Sequence, residues 1–128
     1  MAGHLRATAR ALRMLGHVLH GIGTVAWRFP RLGVVQRQQL VQAWASALLV
    51  QAGIRLEVVG QPVAQGPVLL VANHISWLDI PVMHAARFCR FVSKDDVRRW
   101  PLIGRLATAA GTLYIARSSR RDAHRMVH

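Results

Sequence analysis

The sequence is short of acid, shorter still of lysine, and nearly without cysteine. Five acidic residues face 17 basic ones, and none of the five precedes Glu57. Lys94 is the sole lysine, so the other sixteen basic residues are arginine. A net charge of +12 predicts anionic partners: phospholipid head groups, phosphorylated metabolites or nucleic acid. Nucleic acid is not expected among them, because the arginines are spread along the chain and build no recognised binding motif. The single cysteine, Cys89, excludes an internal disulfide. Its setting, Phe88-Cys89-Arg90-Phe91-Val92, reads as that of a buried thiol. No metal-ligating constellation stands out, and no metal site is expected.

A convincing membrane-spanning run is missing too. The uncharged stretch from Gln38 to Ile54 is 17 residues long and holds four glutamines, a poor transmembrane helix. The amino terminus has the look of a targeting signal, with Arg6, Arg10 and Arg13 ahead of an apolar stretch from Met14 to Trp27. No small-x-small site closes that stretch cleanly, and a second helix follows, so a cleaved signal is not expected.

What is present is enough to fold. At 128 residues and 52% apolar content, the chain fits one domain with a real core. Its first segment is helical in pattern. At 100° per residue Arg6, Arg10, Arg13, His17 and His20 fall along one line, with Leu5, Leu12, Leu15, Leu19 and Ile22 opposite. Such a helix suits the interface of an anionic membrane, with Arg at phosphates and Leu in the acyl boundary. It equally suits a surface helix laying its apolar face on the domain. Pro30 ends it.

A second helix is predicted from about Val35 to Ala52, with Leu40, Val41, Trp44, Ala47 and Leu48 on one face. Gln38, Gln42 and Ser46 form a polar line on it, and Gly53 is the stop. After Gly53 the period changes. Ile54, Leu56 and Val58 alternate with Arg55 and Glu57, as in a strand with one wet face. Gly60 to Pro67 is a turn, and Val68 to Ala72 is an apolar run expected of a strand covered on both sides. A helix from about Ser76 to Ala86, a strand near Arg90 to Ser93 and a helical stretch around Val97 to Ala110, restarting at Pro101, should follow. Gly111 to Ala116 reads as another strand, and Ser118 or Ser119 is placed to N-cap a final helix with Asp122 in its first turns. Strands alternating with helices predict an α/β fold on a mostly parallel sheet with crossover helices, after two N-terminal helices.

One motif is a decoy. Gly21-Ile22-Gly23-Thr24-Val25-Ala26 matches G-x-G-x-x-A, yet no strand precedes it and no acid lies about 20 residues on. His74 and Asp79 are a stronger candidate. They fall just past the carboxyl end of a predicted buried strand, where α/β sheets place their chemistry. With a helix starting near Ser76, the Asp can accept a hydrogen bond from one imidazole nitrogen and fix the tautomer. The other nitrogen is then free to take a proton from an incoming hydroxyl. On spacing alone, the commoner meaning of such a pair is a capping Asp beside a surface His.

The neighbouring residues change that balance. Asn73-His74-Ile75-Ser76-Trp77-Leu78-Asp79 resembles the N-H-x-S-x-x-D signature of the glycerolipid acyltransferases, in particular the 1-acylglycerol-3-phosphate (lysophosphatidic acid) acyltransferases. Phe91-Val92-Ser93-Lys94, followed by Trp100-Pro101-Leu102-Ile103-Gly104, is similar to that family's strand ending in Lys and its Pro–Gly helix. Gly111-Thr112-Leu113-Tyr114-Ile115-Ala116-Arg117 is similar to its G-x5-R block. The resemblance covers roughly Gln36 to His128. The H-x3-D-G acyltransferases fit less well, because the spacing here is x4 and no Gly follows Asp79.

The resemblance implies a site. His74 would be the general base on the acceptor hydroxyl, and Asp79 its orienting partner. Asn73 and Ser76 would support the turn near substrate. Arg117 would bind the acceptor's phosphate, with Lys94 as a second phosphate contact. It further implies a lysophospholipid acceptor, an acyl-CoA or acyl carrier protein thioester as co-substrate, no bound cofactor, and a place on the cytoplasmic face of an anionic membrane. Residues 1–34 would be the membrane-associating helix and 35–128 the N-terminal part of the acyltransferase domain. The sequence departs from the family's pattern after Arg117, where nothing resembles the F-P-E-G-T-R block or the later proline-containing block. Acyl transfer by residues 1–128 alone is therefore expected to be slight or absent.

Overall fold

A computed structural model describes residues 2–62 and 66–116 and divides the chain into two compact units, Met1–Cys89 and Arg90–His128. The first unit is helical. Helix α1 runs over Ala2–Trp27, a 3₁₀ turn over Phe29–Arg31 carries Pro30, and α2 runs over Val34–Ala52. Pro30 has no N–H to donate, which suits the start of a turn and not the interior of a helix. Gly33 begins α2, its N–H satisfied by Gln36 Oε1 at 3.0 Å. Gly53 ends α2 at φ 76°, a conformation that a side chain would resist. There the N–H of Gly53 reaches the Val50 carbonyl, and that of Ile54 reaches Leu49. Helix α3, Asp79–Ala86, packs extensively on α2. The helix boundaries thus follow the sequence pattern closely.

The way α1 sits on α2 does not follow from its helical wheel. His17, from the basic line, stacks on Trp44 with ring centroids 4.9 Å apart. Its Nε2 donates to the Trp44 carbonyl at 2.9 Å, while Trp44 Nε1 donates to the His17 carbonyl at 3.1 Å. Gln51 Nε2 lies 3.2 Å from His17 Nδ1, and Arg10 donates to the Ala52 carbonyl at 3.4 Å. His17 and Arg10 of the polar line therefore reach α2, while Arg6, Arg13 and His20 are exposed, as are Leu5, Leu12, Leu15 and Leu19. Of the two readings of this helix, packing of the leucine face on the domain is not what the structure displays.

Helix α2 has neighbours on two sides, so its polar line is not a solvent line either. Gln42 is half-buried and its Nε2 donates to the Ala85 carbonyl of α3 at 3.1 Å. The apolar core among the described residues is small: Phe29, Ala45, Leu48 and Leu49, joined by the buried ring of His84 on α3.

Between α2 and α3 the structure corrects two predicted strands. Neither Ile54–Val58 nor Val68–Ala72 belongs to a sheet. Val68, Leu69, Leu70 and Val71 are 41%, 87%, 41% and 86% exposed, the two-residue alternation of extended chain. Conformation and pattern are strand-like, but a strand also needs a hydrogen-bonded neighbour, and none pairs with this run among the described residues. The expected two-sided burial of this run is likewise not found.

The second unit holds a small parallel sheet. Strand β1, Val92–Lys94, pairs with β2, Leu113–Ile115, in the register Val92–Leu113, Ser93–Tyr114, Lys94–Ile115. The crossover that parallel pairing requires is a 3₁₀ turn over Asp95–Arg99 followed by α4, Ile103–Ala109. The break at Pro101 is where the sequence places it. Thr108 Oγ1 ties α4 to β2 through the Tyr114 hydroxyl at 2.9 Å, and Arg90 Nε donates to the Gly111 carbonyl at 2.8 Å. Helices with a parallel strand pair give the α/β class in coarse form. Arg117 and the final helix anticipated after Ser118 lie outside the described residues.

Candidate active site

The turn before α3 is organised by one carboxylate oxygen. Asp79 Oδ2 accepts the backbone N–H of Ile75 at 2.7 Å and of Ser76 at 2.9 Å, and lies 3.0 Å from Nδ1 of His74. The two backbone bonds, and less strongly the nearby His74, hold the carboxyl below its ordinary pKa of 3.8. Asp79 is thus an anion at neutral pH, and an anion at this position requires a proton on Nδ1 of His74. The neutral imidazole then carries its lone pair on Nε2. The His74 side chain is 67% exposed, leaving the ring open to a reactant.

Ser76 completes the turn and does not reach outward. Its Oγ accepts the N–H of Leu78 at 3.2 Å, while its own N–H is held by Asp79. This is a reciprocal capping arrangement, and the S-x-x-D spacing of Ser76 and Asp79 is the signal by which sequence could have disclosed it. The helix starts at Asp79, three residues later than the expected Ser76, because Ser76–Leu78 form the capped turn. Pro81 then falls in the first turn of α3, where its missing N–H has no helical partner to lose. Asn73 is exposed and makes no side-chain hydrogen bond among the described residues.

Of the other candidates, Lys94 is the last residue of β1 in the second unit and is exposed. Arg117 is outside the described residues. The structure therefore brings together His74, Ser76 and Asp79. It adds two features that the sequence reading missed: the backbone donors at Ile75 and Ser76, and Gln42, which anchors the far end of α3. Cys89 is half-buried, and that burial raises its thiol pKa, as for an unreactive thiol. Gly21 and Gly23 lie inside α1, which rules out a phosphate-binding turn there.

Comparison with known proteins adds a family to this geometry. The acyltransferase family model matches residues 55–128. A lyso-ornithine lipid O-acyltransferase of Pseudomonas aeruginosa is 43% identical over 121 residues, 90% of this chain and 46% of the relative. A 1-acyl-sn-glycerol-3-phosphate acyltransferase of Neisseria gonorrhoeae is 42% identical over 88 residues, 67% of this chain and 34% of the relative. A lyso-ornithine lipid O-acyltransferase of Rhizobium meliloti is 33% identical over 97 residues, 76% of this chain and 33% of the relative. The chain spans less than half the length of these curated relatives. No solved structure gives a significant match. With more than half of its residues matched by one family model, the chain belongs to the acyltransferase family.

Proposed function

We propose that this chain carries the catalytic turn of an O-acyltransferase that moves an acyl group from a thioester to the free hydroxyl of a lysolipid. The observation that supports this most is the His74 Nδ1–Asp79 Oδ2 contact at 3.0 Å, which leaves Nε2 as a solvent-facing base. In the proposed reaction Nε2 takes the hydroxyl proton as the oxygen attacks the thioester carbonyl of acyl-CoA or acyl carrier protein. Asp79 balances the charge of the imidazolium. The tetrahedral intermediate collapses with loss of the thiolate, which takes the proton back from Nε2. Ester and free thiol result. General-base help of this kind is worth about 10²–10⁴ in rate.

The acceptor has two readings. The motifs Asn73–Asp79 and Gly111–Arg117 resemble those of 1-acylglycerol-3-phosphate acyltransferases, and phosphatidic acid is then the product. Arg117 and Lys94 would hold the acceptor's phosphate. The longer overlap with a lyso-ornithine lipid O-acyltransferase favours instead a lyso-aminolipid acceptor. Full-length protein assayed with 1-acylglycerol-3-phosphate and with a phosphate-free lyso-aminolipid separates the two. Arg117→Ala should raise KM for the phosphate acceptor alone. In either case His74→Ala should lower transfer by about 10²–10⁴, and transfer near the wild-type rate would refute the mechanism.

The reading includes a membrane surface. Residues 1–34 would associate with anionic lipid at the cytoplasmic face and 35–128 would form the N-terminal part of the acyltransferase domain. The exposed Leu5, Leu12, Leu15 and Leu19, with Arg6 and Arg13 on the same helix, support this.

A further inference from the structure

The second unit has an exposed apolar tip of its own. Trp100, Pro101 and Leu102, between the 3₁₀ turn and α4, and Ile103, the first residue of α4, are exposed in succession, with Trp100 at 55% and Leu102 at 37%. Arg98 and Arg99 precede the tip and Arg105 follows it, all three exposed. Only Asp95 and Asp96 oppose them nearby, and Asp95 lies 3.8 Å from Arg99.

Two features hold the tip in shape. Leu102 has φ 62° and ψ −59°, and the N–H of Ile103 reaches the Pro101 carbonyl at 2.6 Å. That is a γ-turn of the sterically disfavoured hand, in the one non-glycine residue with positive φ among those described. Gly104 packs so closely that an added Cβ would stand 2.4 Å from the Arg98 carbonyl oxygen. The strained turn still leaves Leu102 37% and Trp100 55% exposed. A strained turn that leaves Trp100 more than half exposed, with Leu102 and Ile103 part-exposed beside it, calls for an apolar surface to receive them.

We propose that the Trp100–Ile103 tip inserts into the interface of an anionic phospholipid bilayer, with Arg98, Arg99 and Arg105 at the lipid phosphates. The chemistry of the tip favours lipid over a protein partner. A Trp has an apolar body and an N–H suited to the head-group boundary, and a ring of guanidinium groups complements a negative surface. This contact is separate from α1 and does not depend on the acyl-transfer reading.

The test uses full-length protein and vesicles of phosphatidylcholine with and without phosphatidylglycerol. Brominated lipid should quench part of the tryptophan emission of the wild type, and Trp100→Phe should remove a clear share of that quenching. Arg98→Gln and Arg99→Gln should each lower partitioning onto the anionic vesicles about 5-fold, and flatten its salt dependence. Trp100→Phe preserves an aromatic ring and tests depth without threatening the fold. Unchanged quenching in Trp100→Phe would overturn the proposal. So would arginine variants that bind vesicles normally but lose binding to an acidic carrier protein. Because every readout is lipid binding, a failure here leaves the acyl-transfer reading standing, and the reverse also holds.

Discussion

One histidine lies in the turn before α3 and another in its last turn, and they could hardly be treated more differently. At the N-terminal end His74 is two-thirds exposed and held by Asp79, on a turn whose bonds are all local. At the C-terminal end His84 is 6% exposed, its ring 5.7 Å from that of Phe88, while the neighbouring Ala85 carbonyl is fastened by Gln42 of α2. Burial pushes the His84 pKa down to about 4, so it is a neutral packing residue at any ordinary pH. One end is open to solvent and the other is closed by packing. The difference lies in solvation and in the partner of each ring.

The comparison can be broken by mutation, and the largest effect belongs to the exposed end. In the full-length protein, His74→Ala should lower acyl transfer by about 10²–10⁴ while leaving the melting temperature essentially unchanged. Stopped turnover together with a large fall in Tm would mean that His74 packs and does not react. Asp79→Asn should lower kcat by about 10²-fold, since the amide no longer stabilises an imidazolium. It should also loosen the turn, read as faster amide exchange at Ile75 and Ser76.

At the packed end the effects are on stability. Leu49→Ala, at a nearly inaccessible site on α2, should destabilise by about 2–4 kcal/mol in urea denaturation. His84 should make the fold acid-sensitive. Its folded pKa is depressed to about 4 from 6.5, so between those values the unfolded chain binds the extra proton. Stability should be full above pH 6.5 and fall by about 2–3 kcal/mol as pH drops from 6.5 to 4. His84→Leu should flatten that limb, and an unchanged limb would place the acid sensitivity elsewhere. Asp79, whose pKa is also depressed, loses its contribution only at still lower pH, below its ordinary 3.8. The smallest effect is expected of Ser76→Ala, a capping loss of about 0.5–1 kcal/mol measured by thermal melting.

Much of the local structure was legible because it depends on neighbours in sequence. Pro30, Gly53 and Pro101 act through their own backbone, so the ends of α1 and α2 and the break before α4 could be placed from sequence. The His74–Asp79 pair was legible for the same reason, being four bonds of a single turn. The predicted strands at Ile54–Val58 and Val68–Ala72 failed because alternation specifies an extended backbone but cannot supply a hydrogen-bonding partner.

The sequence by itself determined roughly where the helices lie, that β1 and β2 are strands, and which acid can hold the His74 imidazole. These rest on dihedral preference, side-chain period and short-range hydrogen bonds. Only the tertiary structure decided that α1 meets α2 through His17 and Arg10 and leaves its leucines to solvent. Only packing decided that Gln42 serves α3, that His84 is buried while His74 is not, and that Trp100 and Leu102 stand out on a strained tip. Those outcomes depend on which surfaces meet, and residues far apart in sequence settle that through shape and solvation.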